Sequence, residues 1–302
     1  MRIVLCYKID VRAGHFVECY ASSAARELRE LGNDVTECGE GHTITALDQL
    51  ECKDYDLLIE IENGRNSKGE LNFQQHEHQW NIPSVVYLID SHGHPDLHKR
   101  ISSSYSYVFF AVWARRDLFV GHPHAYWLPS ATDLKWFDWH NFADVGCKYD
   151  FGFFGSKGGL HRAKPLIDIC VKNGWTFDVR QVTKARRPKW PQCGEAMAAC
   201  YFLFNHSQKH DINQRVFESL AMCRPLLNDF DSESGIDKLF QPWKHFIPYE
   251  SYTYRDLEER CKWIFNNSHE SQKIAEQGYE EIVKQHTVKH RMQSIMERIG
   301  ER

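Results

Sequence analysis

Short apolar runs alternate with amphipathic stretches from the beginning of the chain. Ile3 to Tyr7 is apolar, Gly14 marks a turn, and Val17, Tyr20, Ala21, Ala24, Leu28 and Leu31 then recur along one helix face, closed by Gly32. The pattern predicts strand, loop, helix. Val35 opens a second short strand, Tyr55–Ile61 a third, and a polar, helical segment running through Gln79 leads past Pro83 into the strand Val85–Ile89. Tyr107–Ala111 and Ala125–Leu128 supply two more strands. The aromatic and polar stretch from Pro129 to Lys148 has no clear period, so a domain boundary is placed there.

The alternation restarts at Tyr149–Gly155, followed by a helix from about Arg162 to Asn173 and a strand at Thr176–Val179. Tyr201–Asn205 is a buried strand, Gln214–Met222 a helix and Pro225–Asp229 the strand after it, while the last 50 residues read as mostly helical. Strands alternating with helices imply parallel sheets covered on both faces. The fold class is therefore α/β, with two doubly wound domains facing a central cleft. The expected division is 1–145, 146–285, and a C-terminal helical segment, 286–302, that packs back on the first domain; Tyr279 to Ile299 is read as one helix. Such sheets bind ligands at the carboxyl ends of their strands, so chemistry is sought there.

A length of 302 residues suits two domains, and 42% apolar with 26% charged residues is ordinary for a globular protein. The net charge of −4 gives no general attraction to nucleic acid or anionic lipid. Lys184 to Lys189 is the one compact basic stretch, read as a solvated loop or a contact for an anionic acceptor. Ten cysteines at irregular intervals, without a Cys-x-x-Cys pair, suggest reduced, buried thiols. The first residues turn polar at Lys8 and Asp10, and no apolar run nears ~18 residues, so a cytoplasmic protein without a membrane span is expected.

The stretch Asp211 to Leu227 carries the most chemistry. It opens a helix just past a strand end, where free N–H groups favour an anion; Asn213 and Arg215 add donors for phosphate oxygens, and the Glu218 carboxylate suits a ribose diol. An amphipathic helix with Arg and Glu in solvent has the same spacing. Gly155-Ser156-Lys157-Gly158-Gly159, between a strand and a helix, lets the backbone approach a phosphate closely, or is simply a flexible turn. Gly14-His15 has the same two readings.

His92, His94, Asp96 and His98, beside Asp90 and Ser91, have a spacing that invites zinc, which makes a metal-dependent hydrolase the alternative function. Gln75-His76-Glu77-His78 places its imidazoles on diverging helix faces and reads as surface. Asp229-Phe230-Asp231 mimics a metal-binding Asp-x-Asp, yet at a late strand end only a turn is needed.

Arg215, Phe217, Glu218, Leu220 and Ala221 resemble the Arg-x-Phe-Glu-x-Leu-Ala helix of GT-B glycosyltransferases, nearest the spore-maturation-protein (CgeB-like) group. The resemblance extends to Tyr149–Ser156 with Arg162, to Trp127-Leu128-Pro129, and to Gly278-Tyr279, His286-Thr287 and Arg291, covering roughly residues 84 to 300. It implies two Rossmann-like domains and a nucleoside diphosphate sugar held by Gly155, Ser156, Arg162, Asn213, Arg215 and Glu218, to which Gly14 and His15 are added as donor-binding residues from their place after the first strand. Asp90 or His92 would take the proton of an acceptor hydroxyl on a protein, glycan, small molecule or modified nucleic acid. Neither metal nor cofactor is implied beyond the nucleotide-sugar substrate.

Two positions depart from the family pattern. His210 stands eight residues before Glu218, where retaining enzymes often carry a carboxylate, which keeps a catalytically inactive nucleotide-sugar binding module open. Cys223 stands where a Gly is usual, so that turn is expected to adopt a conformation open to a side chain.

Overall fold

The apolar runs of the first third become parallel strands. The computed structural model describes residues 1–12, 15–17, 19–62, 73, 80–156, 160–182, 190–251 and 253–301. It divides into two compact units, Met1–Pro129 with Val288–Arg302, and Ser130–Thr287. Residues 130–145, read from the sequence as part of the first domain, cluster with the second unit. Among the described residues, no helix is long and apolar enough to cross a membrane.

In the first unit, chain order runs β1 (Arg2–Cys6), a hairpin of β2 (Asp10–Arg12) and β3 (His15–Val17), α1 (Tyr20–Glu30), β4 (Asp34–Cys38), β5 (Leu57–Ile61), β6 (Ser84–Leu88), α2 (Pro95–Ser102), β7 (Tyr107–Phe110) and β8 (Ala125–Trp127). Six of these strands form one sheet in the order β4-β1-β5-β6-β7-β8, every neighbour parallel. Strands covered on both faces have no polar face to show, which is why β5 and β6 are buried at every position. Val4, Cys6, Cys38, Leu47 and Leu58 make one core cluster, and Val86, Leu88, Ile101, Val108, Phe110 and Phe119 another. α1 buries Ala21, Ala24, Ala25 and Leu28.

The second unit runs β9 (Tyr149–Ser156), α3 (Leu160–Asn173), β10 (Phe177–Val182), α4 (Trp190–Ala198), β11 (Cys200–Asn205), α5 (Gln214–Ala221), β12 (Leu226–Phe230), β13 (Ile247–Glu250), α6 (Leu257–Asn266) and α7 (Ser268–Gln285). Its sheet order is β10-β9-β11-β12-β13, again all parallel. Phe151, Phe153, Phe202, Phe204, Leu227 and Tyr249 fill the core against Leu166 and Cys170 of α3 and Leu257, Cys261 and Ile264 of α6. Gly278 lets α7 lie close: a Cβ there would sit 2.5 Å from the His245 carbonyl oxygen.

The single helix read over Tyr279–Ile299 is two. α7 stops at Gln285, and α8 (Val288–Gly300) belongs to the first unit, where it packs on α1. The break has a cause in backbone pairing: the His286 carbonyl accepts the Thr132 N–H at 3.2 Å, and Thr287 bridges Thr132. A carbonyl and a residue used this way are lost to a continuous helix. In α8, Arg291 is buried and its Nε donates to the Pro129 carbonyl at 2.7 Å, which the Tyr87 hydroxyl also reaches at 3.2 Å.

Candidate active site

In the second unit, β9 ends in Gly155 and Ser156, and α3 begins directly beyond the loop. Lys157, Gly158, Gly159 and the basic stretch at 184–189 lie outside the described residues, as do Gly14 and the pair His76 and His78. His15 falls in β3. Gly155 has no room for a side chain, because a Cβ would meet the Phe153 ring at 2.7 Å and the Arg162 guanidinium at 3.4 Å. Arg162, in the first turn of α3, is 8% exposed. Its Nη1 donates to the His206 carbonyl at 2.8 Å, its Nε has no partner, and it forms no ion pair among the described residues. Burial depresses its pKa, partly offset by Asp229 at longer range. A guanidinium without a counter-ion is costly to bury, so this place favours an incoming anion.

His206 follows β11. Its Nδ1 lies 2.8 Å from the Tyr249 hydroxyl and its Nε2 3.0 Å from the Tyr254 hydroxyl, and Tyr249 donates to the Asn205 carbonyl at 3.0 Å. Burial, then the Arg162 charge, lower the His206 pKa to about 4, so the ring is neutral at pH 7. With the Tyr249 proton committed to Asn205, we assign the ring proton to Nδ1, leaving Nε2 to accept from Tyr254. Beside it, Asp229 at the end of β12 accepts the Ser207 N–H at 2.9 Å and the Ser251 hydroxyl at 3.1 Å. Burial raises its pKa to about 6 against those two donors. Asp229 thus ties three strand ends together, and Asp231 caps its own turn while holding His210 Nδ1 at 2.7 Å.

On α5, Asn213 is the N-cap residue, makes no side-chain cap bond, and leaves its Oδ1 buried without a partner among the described residues. Arg215 and Glu218, one turn apart, pair at 2.5 Å, and the Arg215 Nη1 also lies 3.4 Å from the Cys193 sulfur and 3.3 Å from that of Met197 on α4. Glu218 is 3% exposed. A solvent-facing amphipathic helix is thereby excluded. Arg215, read from the sequence as a phosphate donor, braces the Glu218 carboxylate. Cys223 takes a left-handed backbone, φ +50°, so the turn keeps the glycine-like shape despite its side chain, contrary to expectation.

In the first unit, Asp90 follows β6 in a tight turn closed by the Gly93 N–H on the Asp90 carbonyl at 2.8 Å. Its side chain is exposed. Partial loss of hydration and then Glu62 raise the Asp90 pKa, while His92, His94 and His98 lower it. Glu62, directly after β5, is buried; its Oε2 accepts the N–H groups of Ile89 at 2.6 Å and Asp90 at 2.9 Å and faces His98 Nε2 at 3.5 Å. His98 Nδ1 meets the Ser91 hydroxyl at 3.1 Å, and both residues are fully buried. Burial alone would raise the Glu62 pKa, but His98 and the two N–H groups outweigh it and hold the carboxyl below its ordinary value.

A family profile described as glycosyl transferase-like matches residues 144–297, just over half of the chain. The chain belongs to this family. No curated protein sequence matches it. HepE of Anabaena, solved with UDP and glucose, is 12% identical and superposes with a TM-score of 0.65 over 100% of both chains. A glycosyltransferase of Rickettsia africae is 11% identical, with a TM-score of 0.65 over 98% of this chain and 97% of that one. BGT of phage T4, solved with its UDP-glucose substrate, is 11% identical, with a TM-score of 0.61 over 99% of each. The fold is thus the GT-B arrangement of two parallel-sheet, Rossmann-like halves, and the protein is a glycosyltransferase.

Membership of a transferase family leaves the hydrolase alternative unsupported, and one of its three histidines is engaged elsewhere. His98 is spent inside the core on Ser91 and Glu62, and the His94 carbonyl starts α2, taking the His98 N–H at 3.0 Å. Among the described residues, no three His, Cys, Asp or Glu side chains gather around one metal position. Glu62, His206, Asp229, Tyr249 and Tyr254 were not singled out for these roles from the sequence. The one trace of Glu62 was an acidic residue closing an apolar run, the same signal that marked Asp90.

Proposed function

We propose that this glycosyltransferase moves a sugar from a uridine diphosphate sugar to a hydroxyl acceptor without a metal. The observation that carries the donor half is Arg162: a buried guanidinium, short of a counter-ion, beside the Cβ-free surface of Gly155. A diphosphate beside the strand end at Gly155 and Ser156 supplies the missing negative charge. Glu218, braced by Arg215, accepts the ribose hydroxyls, and the Asn213 Oδ1 supplies a further acceptor at the start of α5. UDP and UDP-glucose in the HepE and BGT structures support uridine as the base. Positive charge from Arg162 and the α5 N–H groups stabilises the departing diphosphate, a role a metal would otherwise fill.

Asp90, with His92 next to it, takes the acceptor proton in this reading. A carboxylate whose proton affinity is raised by a neighbouring charge is a better base than a free one. The acceptor is a hydroxyl on a protein, glycan, small molecule or modified nucleic acid. The Arg-x-Phe-Glu-x-Leu-Ala helix supports reading the chain as a member of the spore-maturation-protein group of the family. Isothermal titration with UDP and UDP-glucose tests the donor half: binding is expected in EDTA, weakened about 100-fold in Glu218→Gln, for two charge-assisted hydrogen bonds lost. Unaltered UDP affinity in that variant would remove Glu218 from the site.

A further inference from the structure

The Glu62 carboxylate is an expensive way to hold two backbone N–H groups. An amide would accept them without burying a charge, and the second oxygen, Oε1, is buried with no partner among the described residues. His98 and Ser91 behind it are sealed from solvent, so the Glu62–His98–Ser91 array does not itself reach a substrate. Among the described residues, Glu62 connects it by hydrogen bonds to the backbone of Ile89 and Asp90, the residues that carry the Asp90 side chain out of β6. The titratable groups facing Asp90 are Glu62 from the end of β5, His92 and His94 from its own loop, and His98 from α2.

We infer that Glu62, backed by His98 and Ser91, is a positioning residue for the transfer reaction, holding Asp90 in place and keeping a second negative charge beside it. This rests on Asp90 being the base. Two effects are separable. The hydrogen bonds from the Ile89 and Asp90 N–H groups fix where the Asp90 carboxylate stands, and displacing a reacting group by about 1 Å costs on the order of 100-fold in rate. The charge adds to the effect of lost hydration and works against the three imidazoles, which keeps the Asp90 carboxylate willing to accept a proton.

A double-mutant cycle on the whole protein tests this, with UDP release from UDP-glucose as the rate and UDP titration as the binding control. Asp90→Asn is expected to lower kcat by 100-fold or more. Glu62→Ala is expected to lower kcat about 100-fold, and Glu62→Gln, which keeps an acceptor but loses the charge, about tenfold. UDP affinity stays within twofold in each. In the Asp90→Asn background both Glu62 effects disappear, because they act only through Asp90. If losses from Glu62 and Asp90 multiply, Glu62 serves the fold at large and the inference is wrong. It is equally wrong if Glu62→Gln, the milder variant should Glu62→Ala not fold, releases UDP at the wild-type rate. Asp90→Asn at wild-type kcat, or no UDP release by the wild type, instead overturns the reading of Asp90 or of the donor.

Discussion

Asp229 and His206 sit 3.7 Å apart in the second unit and are shifted in opposite senses by the same burial, so their contributions to stability run against each other as pH changes. For Asp229, the gap between about 6 in the fold and the ordinary 3.8 converts to about 3 kcal/mol. Its folded pKa is raised, so this stability is fully present below pH 3.8 and is lost as pH rises through 6. His206 falls from 6.5 to about 4, and its contribution is present above 6.5 and lost as pH falls towards 4. That contribution is also about 3 kcal/mol before allowance for the ring edge that still meets water, and about 2 after it. Between pH 4 and 6 the two nearly cancel.

Replacing one partner should expose the other. Asp229→Asn keeps an oxygen for the Ser207 N–H and an amide for the Ser251 hydroxyl, and removes only the ionisation. Urea unfolding of wild type and variant at half-unit steps from pH 4 to 7.5 gives the difference in stability. The substitution is expected to cost about 2 kcal/mol more at pH 4 than at pH 7, since part of the Asp229 contribution is already lost at pH 4, and the variant alone should lose stability steeply on acidification as His206 resists its proton. A pH-independent difference would mean that Asp229 titrates as an exposed carboxyl and that burial does not govern this cluster. A difference of the opposite slope would mean that Asp229 is held ionised by a partner.

Arg162→Met should weaken UDP binding about 10- to 100-fold while leaving the unliganded protein as stable as wild type or more so, because an uncompensated buried cation is removed; calorimetric titration and a thermal melt read the two, and a destabilised variant with unchanged UDP affinity would make Arg162 structural. Gly278→Ala drives a methyl to 2.5 Å from the His245 carbonyl and should cost about 2–3 kcal/mol in a urea titration, with retention of wild-type stability showing that α7 is free to shift. EDTA should leave the rate of UDP release from UDP-glucose unchanged, and a loss restored by a divalent ion would end the metal-free reading.

Apolar runs of five or six residues separated by one-faced helices specify parallel strands buried on both sides, and this much was legible from Ile3, Leu57, Val85, Phe151 and Phe202 outward. The strand-end positions of Asp90, Gly155 and Ser156, and of Glu218 one turn into α5, followed as well, because sequence neighbours of a strand stay beside its end. Side-chain partnerships were not legible. Glu62 reaches Asp90 across 28 positions, Arg162 reaches His206 across 44, and Thr132 meets Thr287 through a bridge that splits the last helix. Local pattern decides which elements form, since hydrophobic periodicity acts over a few residues. Which polar groups are satisfied, which are left short of a partner, and which carboxyls are forced away from their ordinary proton affinity depend on contacts between distant strand ends, and the tertiary structure decided those.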